Sequence, residues 1–512
     1  MAPPKSSLSL TLAIALAGVL AVLAATSTYG IGVSAESETY IDAARNFADG
    51  RGLSVPAADG SLTPLTQHAP LYALLLGIGA RLGVDPVEGA RWLAAFAFGC
   101  LALLGGVGVG VFSKRPWLPP LATGLLVCSV VPLNMSLTAL SEPVFLVTTL
   151  AALLLLARYL QAGDTRLLAA SAALCAAALL TRYAGVAVLA TGVAALLRYD
   201  ARARRRWSGP IFAAIACAPP ALWSLYAALR TGNPVHRELA FHPVRLADAF
   251  SAAKTISTWL LPAVAPPALR LTVLALSIVW LAGVAYRGRA DVPCRLLLGF
   301  AAAYLLVIAA AKSFFDNAIP MDDRILSPLY VPGVIGAALA LDRAVSLFGR
   351  RWVLAGPAVF LLVTAGAMNL GRAAPCLRTM RRQGREYTGV SWRRSSVAAW
   401  LSSVDASAPV YSNLDSAVRF LRRGFSAGLP AKADIRSGSP NPLYRRDMER
   451  FRGRLAATNG VVIYFLETGI PETYLPGASE LVRELGLREV ARGDGWVALG
   501  PPESTSDMSP PG

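Results

Sequence analysis

Apolar stretches about as long as a bilayer is thick recur through the first 370 residues, and no other feature restricts the fold so strongly. A hydrocarbon core needs about 17–25 helical residues to cross it. Inside that core every backbone N–H and C=O must be bonded within the chain. Runs of this kind lie near 8–33, 87–112, 118–134, 142–160, 166–181, 183–199, 209–229, 268–286, 295–312, 325–347 and 353–370. They predict a polytopic α-helical membrane protein with eleven transmembrane helices. The run 70–82, PLYALLLGIGARL, is too short to cross and ends in Arg81, so it reads as an interfacial helix. Hydrophobic residues make up 55% of the chain and charged residues 15%, against about 25% charged in a soluble domain. Intrinsic disorder is excluded on the same grounds. The first run follows Lys5 and ends near VLAATS, which resembles a signal-cleavage site. Its length suits a retained membrane helix better than a cleaved one.

The formal net charge is +17, and its placement sets orientation. Lys114 and Arg115, Arg158 and Arg166, the cluster Arg198, Arg202, Arg204, Arg205 and Arg206, then Arg287, Arg289 and Arg295, and finally Arg343, Arg350 and Arg351 occupy alternate loops. All fall on the side of Lys5 if residues 34–86 form one external loop. Basic residues favour the cytoplasmic side, so the N-terminus is expected inside and the C-terminus outside. The positive charge is thereby accounted for without a nucleic-acid partner.

Beyond residue 371 the composition turns polar. Segments 408–413 and 459–467 read as short buried strands, 392–403 and 415–423 as amphipathic helices, and 487–500 as a hairpin. The expected division is a transmembrane domain over 1–371, a small extracytoplasmic α/β domain over 372–505, and a disordered tail over 506–512. The six cysteines show no C-x-x-C spacing, so neither a zinc site nor a disulfide framework is indicated.

The external segments carry the candidate chemistry. Residues 38–49 have helical spacing, with Glu36 just before them at the end of the first span. Glu142 opens a long apolar run, with Ser141 placed to cap that helix and Pro143 in its first turn. Each glutamate alone reads equally as a helix N-terminal acid. An ionisable group at the membrane edge is nonetheless a site candidate. The histidines, His68, His236 and His242, face one compartment without a ligand motif. Arg182, Arg270, Lys312 and Arg324 recur at the outer edge. Snorkelling accounts for such residues, and so does a cage for a lipid phosphate.

These segments resemble the polytopic GT-C glycosyltransferases that use a polyprenyl-phosphate-linked sugar, of the type similar to protein O-mannosyltransferases and lipid A aminoarabinose transferases. The matching stretches are Glu36 with Tyr40, ARNFADGRG (44–52), HAPLY (68–72), ARWLAAFAFG (90–99), LSEPVF (140–145), LLTRYAG (179–185) and DRILSPLY (323–330). They cover about residues 8–370. The first carboxylate is usually Asp in that family, and HAP stands for the commoner HPP.

The resemblance implies an enzyme that moves a sugar from a polyprenyl phosphate to an acceptor hydroxyl of a protein, lipid or glycan on the extracytoplasmic face, with inversion. It implies Glu36 as general base, Glu142 as a second acidic site residue, and Tyr40, His68, Arg182 and Arg324 as substrate-binding residues. Metal dependence varies among the relatives, so a divalent cation is left open. Burial at the membrane edge is expected to raise the pKa of Glu36, with nearby arginines opposing. A transporter of lipid-linked substrates and an inactive membrane scaffold are the competing readings.

Overall fold

The computed structural model describes residues 5–57, 61–199, 207–232, 239–287, 292–348, 356–405, 408–422 and 425–501. His236, the basic residues Arg202, Arg204–Arg206, Arg289, Arg350 and Arg351, and the tail 506–512 lie outside them.

Helices form at every apolar run. In chain order they are α1 (Lys5–Ala25), the amphipathic α2 (Ala35–Ala48) and α3 (Leu71–Arg81), then α4 (Pro86–Phe112), α5 (Leu118–Val127), α6 (Val130–Ser136), α7 (Glu142–Ala162) and α8 (Thr165–Thr181). A 3-10 turn at Tyr183–Gly185 leads into α9 (Val186–Tyr199). Then follow α10 (Ser208–Thr231), α11 (Leu246–Leu260), α12 (Pro267–Arg287), α13 (Val292–Phe314), α14 (Asp323–Phe348) and α15 (Gly356–Gln383). The chain is a multi-pass membrane protein.

The expectation of eleven full spans is met in part. Among the described residues, α1, α4, α7, α10, α13 and α14 are each long and apolar enough to cross. A seventh crossing is the pair α5–α6, bent by 56°. The bend has a local cause: Pro132 in α6 has no N–H to return to the carbonyl of Cys128, where α5 ends. The runs read as spans at 166–181 and 183–199 form helices of 17 and 14 residues separated at Arg182. The second half of α15 carries Arg372, Arg378, Arg381 and Arg382.

The bundle core is built from α4, α5, α7, α8, α9, α13 and α14, with Leu101, Phe145, Leu153, Phe300 and Ile335 at its centre. A separate cluster lies under the interfacial helices, where Tyr40 and Tyr72 meet Leu65, Ala90, Ala94 and Val144. Helices α2 and α3 approach closely at Gly77, where an added Cβ would stand 2.8 Å from the Phe47 ring.

The C-terminal region contains α16 (Val390–Arg393), α17 (Ser396–Ser403), α18 (Asp415–Arg422), α19 (Tyr444–Thr458) and α20 (Ala478–Leu485) around one sheet. Two short strands of the first loop, β1 (Ser54–Pro56) and β2 (Leu62–Pro64), pair separately. The main strands are β3 (Val410–Ser412), β4 (Ser426–Gly428), β5 (Val461–Phe465), β6 (Arg488–Gly493) and β7 (Trp496–Gly500), in the order β4-β3-β5-β7-β6. The first three run parallel, and β5-β7-β6 antiparallel. Alternation along β5 sends Val462 and Tyr464 to one face and Ile463 and Phe465 to the other. Both faces are covered, as the period of two in a buried strand requires. The strands and hairpin read from the sequence fall at these places.

Three chain segments meet where the sheet-bearing region touches the bundle. Gly32 N–H donates to the Leu137 carbonyl at 3.0 Å, and Ala139 N–H donates to the Gly32 carbonyl at 2.8 Å. Tyr387 N–H donates to the Val33 carbonyl at 3.0 Å. This junction ties the link before α2 to the link before α7, so the first residues of both helices are held side by side.

Candidate active site

Glu36 lies within the first turn of α2, not ahead of the helix as the sequence spacing suggested. Ser34 is the N-cap and its hydroxyl accepts from Ser37 N–H, which starts the helix earlier. The side chain of Glu36 then shares a face with Tyr40, four residues on. Tyr40 donates its hydroxyl proton to Glu36 Oε1 at 3.0 Å.

Glu142 is the first residue of α7. Ser141 occupies the cap position without making the cap bond expected of it. Its hydroxyl stands 3.2 Å from the Tyr40 hydroxyl and accepts from Arg182 Nη1 at 3.3 Å. Ser141 is fully buried, and its use in the site explains why the cap is forgone.

Arg182 sits in extended backbone between α8 and the following 3-10 turn, with φ −149° and ψ 136°. That break aims its guanidinium at the two glutamates. Nη1 lies 2.6 Å from Glu142 Oε1 and 4.0 Å from Glu36 Oε1. Arg324 arrives from the start of α14, where each neighbour has its own duty. The Asp322 carboxylate accepts from Ile325 N–H at 2.9 Å, and Asp323 accepts from the Trp259 indole at 2.8 Å. Arg324 donates through Nε to Glu142 Oε1 and through Nη2 to Glu36 Oε2.

Two carboxylates and two guanidiniums thus form a closed quartet, drawn from α2, α7, the α8–α9 break and α14. His68 Nδ1 stands 3.8 Å from Glu36 Oε1, and its ring is 5.0 Å from that of Tyr40. Tyr72 packs edge-on to Tyr40 at 5.0 Å. All six site residues named from the sequence, Glu36, Glu142, Tyr40, His68, Arg182 and Arg324, are therefore brought together.

The electrostatic outcome for Glu36 is opposite to the expected one. Burial opposes its charge, but His68, Arg324 and Arg182 outweigh burial and hold the carboxyl at about 2. Glu36 is ionised in this arrangement. Tyr40 is pushed well above its ordinary value by burial and by Glu36, so it remains a proton donor.

The other basic candidates are placed elsewhere. Lys312 donates to the carbonyls of Asn317 at 2.7 Å and Ile319 at 3.0 Å and lies 3.5 Å from Asp248. Arg270 is buried at the start of α12 and pairs with neither glutamate. His242 N–H donates to the Ser313 carbonyl at 2.7 Å, which ties its loop to α13. Among the described residues, no group of three or more His, Cys, Asp or Glu side chains is arranged to hold a metal.

A second charged cluster escaped the sequence reading. Glu38 and Asp42 occupy another face of α2, and Asp42 Oδ2 lies 3.0 Å from Arg419 Nε on α18. Arg45 Nη1 is 3.6 Å from Glu38 and 3.8 Å from Asp42. Glu38 is 1% exposed, and burial and then Asp42 raise its carboxyl to about 8. Two acids at i,i+4 on a helix repel each other, and that spacing was the available signal. Beside them Ile41 packs with Tyr387 and Ala417. One helix thus carries Glu36 and also docks the C-terminal region. A groove of about 830 Å³ between α20 and the outer strands includes none of the quartet.

No family model matches the chain, and no curated protein matches it in sequence. Solved structures do match in fold. ArnT from Cupriavidus metallidurans, bound to undecaprenyl phosphate, aligns with a TM-score of 0.58 at 14% identity, over 97% of this chain and 98% of that one. The archaeal oligosaccharyltransferase AglB from Archaeoglobus fulgidus, in complex with an inhibitory peptide and a dolichol-phosphate, aligns with a TM-score of 0.55 at 12% identity, over 89% of this chain and 69% of that one. The arabinofuranosyltransferase AftD from Mycobacteria aligns with a TM-score of 0.53 at 16% identity, over 98% of this chain and 40% of that one. Such likeness speaks to fold and leaves activity to the site. The chain has the GT-C-like fold that it shares with ArnT, AftD and AglB.

Proposed function

We propose that this protein is an integral-membrane glycosyltransferase that moves a sugar from a polyprenyl phosphate to an acceptor hydroxyl on the extracytoplasmic face. One observation carries the proposal: in a GT-C-like fold, Glu36 and Glu142 converge with Arg182 and Arg324 at adjoining helix ends. Ionisable groups gathered at helix ends favour interfacial chemistry over a route through the bundle, where a transporter places its sites near the membrane midplane. The basic loops support a cytoplasmic N-terminus and an extracytoplasmic C-terminal region.

In this reading Glu36 takes the proton of the attacking hydroxyl, and the anomeric carbon inverts as its bond to the phosphate oxygen breaks. A hydroxyl is a weak nucleophile, and a positioned base contributes about 10²–10⁴-fold. The leaving phosphate gains charge as that bond breaks. Arg182 and Arg324 supply oriented N–H donors for it in a site partly closed to water. Tyr40 orients Glu36, and His68 stands beside the same carboxylate. Glu142 keeps the two guanidiniums in register.

AftD is named for an arabinofuranosyl group and AglB for an oligosaccharyl group, so the sugar and the acceptor of this chain are left to experiment. Mass spectrometry of envelope glycans, lipids and glycoproteins from a deletion strain should reveal a missing sugar. An envelope identical to that of the parent strain, under conditions where the protein is expressed, would contradict the proposal.

A further inference from the structure

In the resting quartet each guanidinium faces a carboxylate, so an incoming anion must compete for those contacts. Arg182 and Arg324 are already balanced by Glu36 and Glu142. A phosphate ester would bring a third negative group beside guanidinium N–H groups that the two carboxylates already occupy. One carboxylate must yield.

The two glutamates differ in what they can do. The Glu142 side chain is 2% exposed, its Oε1 receives both guanidiniums, and its Oε2 is buried without a hydrogen-bond partner. If it let go of the arginines it would be a buried, unpaired charge, which is severely unfavourable. The Glu36 side chain is 19% exposed and has other partners. Tyr40 donates to it and His68 lies beside it, on the oxygen that Arg324 does not use. Arg324 in turn holds Glu142 through Nε and Glu36 through Nη2, so its outer N–H groups can change partner while the inner contact persists. The Arg324 side chain is 30% exposed, which leaves the approach open.

Resting on the glycosyltransferase reading above, we infer that the donor's phosphate displaces Glu36 from Arg324 while Glu142 remains the fixed counterion of both arginines. Binding the donor therefore releases the base. In the empty site Glu36 is tied to a guanidinium and is a weak proton acceptor. Once the phosphate has taken its place, Glu36 keeps Tyr40, His68 and the more distant Arg182 at 4.0 Å, and without Arg324 it accepts a proton more readily. Proton abstraction is thus tied to the presence of the donor.

The test is a double-substitution cycle on the full-length protein in lipid nanodiscs, with undecaprenyl phosphate as the probe. Thermal melting verifies that each variant is folded, and Glu36→Ala serves beside Glu36→Gln. Removing the competing carboxylate should tighten lipid binding about tenfold, the scale of one charge-assisted hydrogen bond. In an Arg324→Met background the same Glu36 substitution should change binding less than about twofold, because there is no contact to vacate. Equal tightening in both backgrounds means a general charge effect and overturns the exchange while leaving the donor reading intact. Unchanged or weaker binding by Glu36→Gln overturns the exchange as well. Failure of the wild type to bind the lipid overturns the donor reading and the exchange with it. Inorganic phosphate binding as tightly as the lipid overturns the assignment of the anion to a lipid headgroup.

Discussion

Arg182 Nη1 lies 2.6 Å from Oε1 of Glu142, the same oxygen that receives Arg324 Nε. A single buried carboxylate oxygen thus fixes two cations from distant parts of the chain. Glu142→Ala should leave both guanidiniums without their shared partner. Breaking a buried pair in this way costs about 3–5 kcal/mol. The expected result is a clear loss of melting temperature in detergent, with Glu142→Gln falling between Ala and wild type. A wild-type melting curve for Glu142→Ala would contradict the assigned role.

Arg182→Ala and Arg324→Ala should each lower sugar transfer by about 10²-fold or more, the usual loss when a donor to developing charge is removed. Lysine at either position should recover little, because it lacks the planar fork that reaches two oxygens. Transfer rates in membranes matched for expression decide the matter, and undiminished rates in both alanine variants would remove the phosphate role.

Much of this site was legible in the sequence because each member sits beside a recognisable break: the end of an apolar run, a Ser-Glu-Pro start, a Thr-Arg-Tyr interruption. What the sequence withheld was pairing. Glu36 and Arg324 are 288 residues apart, and nothing local says that they touch. The helix starts at Ala35 because Ser34 caps it, and the cap expected of Ser141 gave way to a tertiary use of its hydroxyl. Hydropathy located the helices, and six or seven of them pass as full crossings among the described residues. A window average does not register that α8 stops at Arg182 after 17 residues and that only 14 follow in α9. The contact of Asp42 with Arg419 joins two regions whose boundary was drawn from composition alone.

The acid side of the pH profile follows from Glu36. Its carboxyl is held at about 2 in the free protein, so the base stays ionised down to that region. The profile of kcat/KM reports the free enzyme and that of kcat the donor-bound one. The acid limb of kcat/KM should therefore lie well below the ordinary carboxylate range. If the donor releases Glu36 from Arg324, the acid limb of kcat should lie at higher pH. Coincident limbs would argue that Glu36 keeps its arginine throughout turnover.

Glu38 predicts the opposite dependence for stability. Its carboxyl is raised to about 8 in the folded protein, so the native state binds more protons than the unfolded state between about pH 4.5 and 8. Stability from this group is fully present below the unfolded value and is lost as pH rises through 8. Glu38→Gln should flatten that decline and raise the melting temperature at pH 8–9, with little change at pH 4. Parallel melting curves for variant and wild type across this range would contradict the buried-acid account.

Tyr40→Phe separates orientation from packing. The ring stays in its cluster with Tyr72 and His68, while the bonds to Glu36 and Ser141 are lost. Transfer should fall about tenfold or more, the scale of one hydrogen bond to a charged group at about 1.5–3 kcal/mol, with a smaller loss of melting temperature than Glu142→Ala shows. Transfer kinetics with matched melting curves measure both effects.

Glu36 as the base for sugar transfer from a lipid phosphate is the proposed role on which the other assignments depend. The most direct measurement compares wild type with Glu36→Gln in proteoliposomes supplied with a polyprenyl-phosphate sugar and an acceptor fraction from the cell envelope. The wild type should transfer sugar and the variant should lose about 10²–10⁴-fold, with both proteins folded. Equal transfer by the two proteins would contradict it.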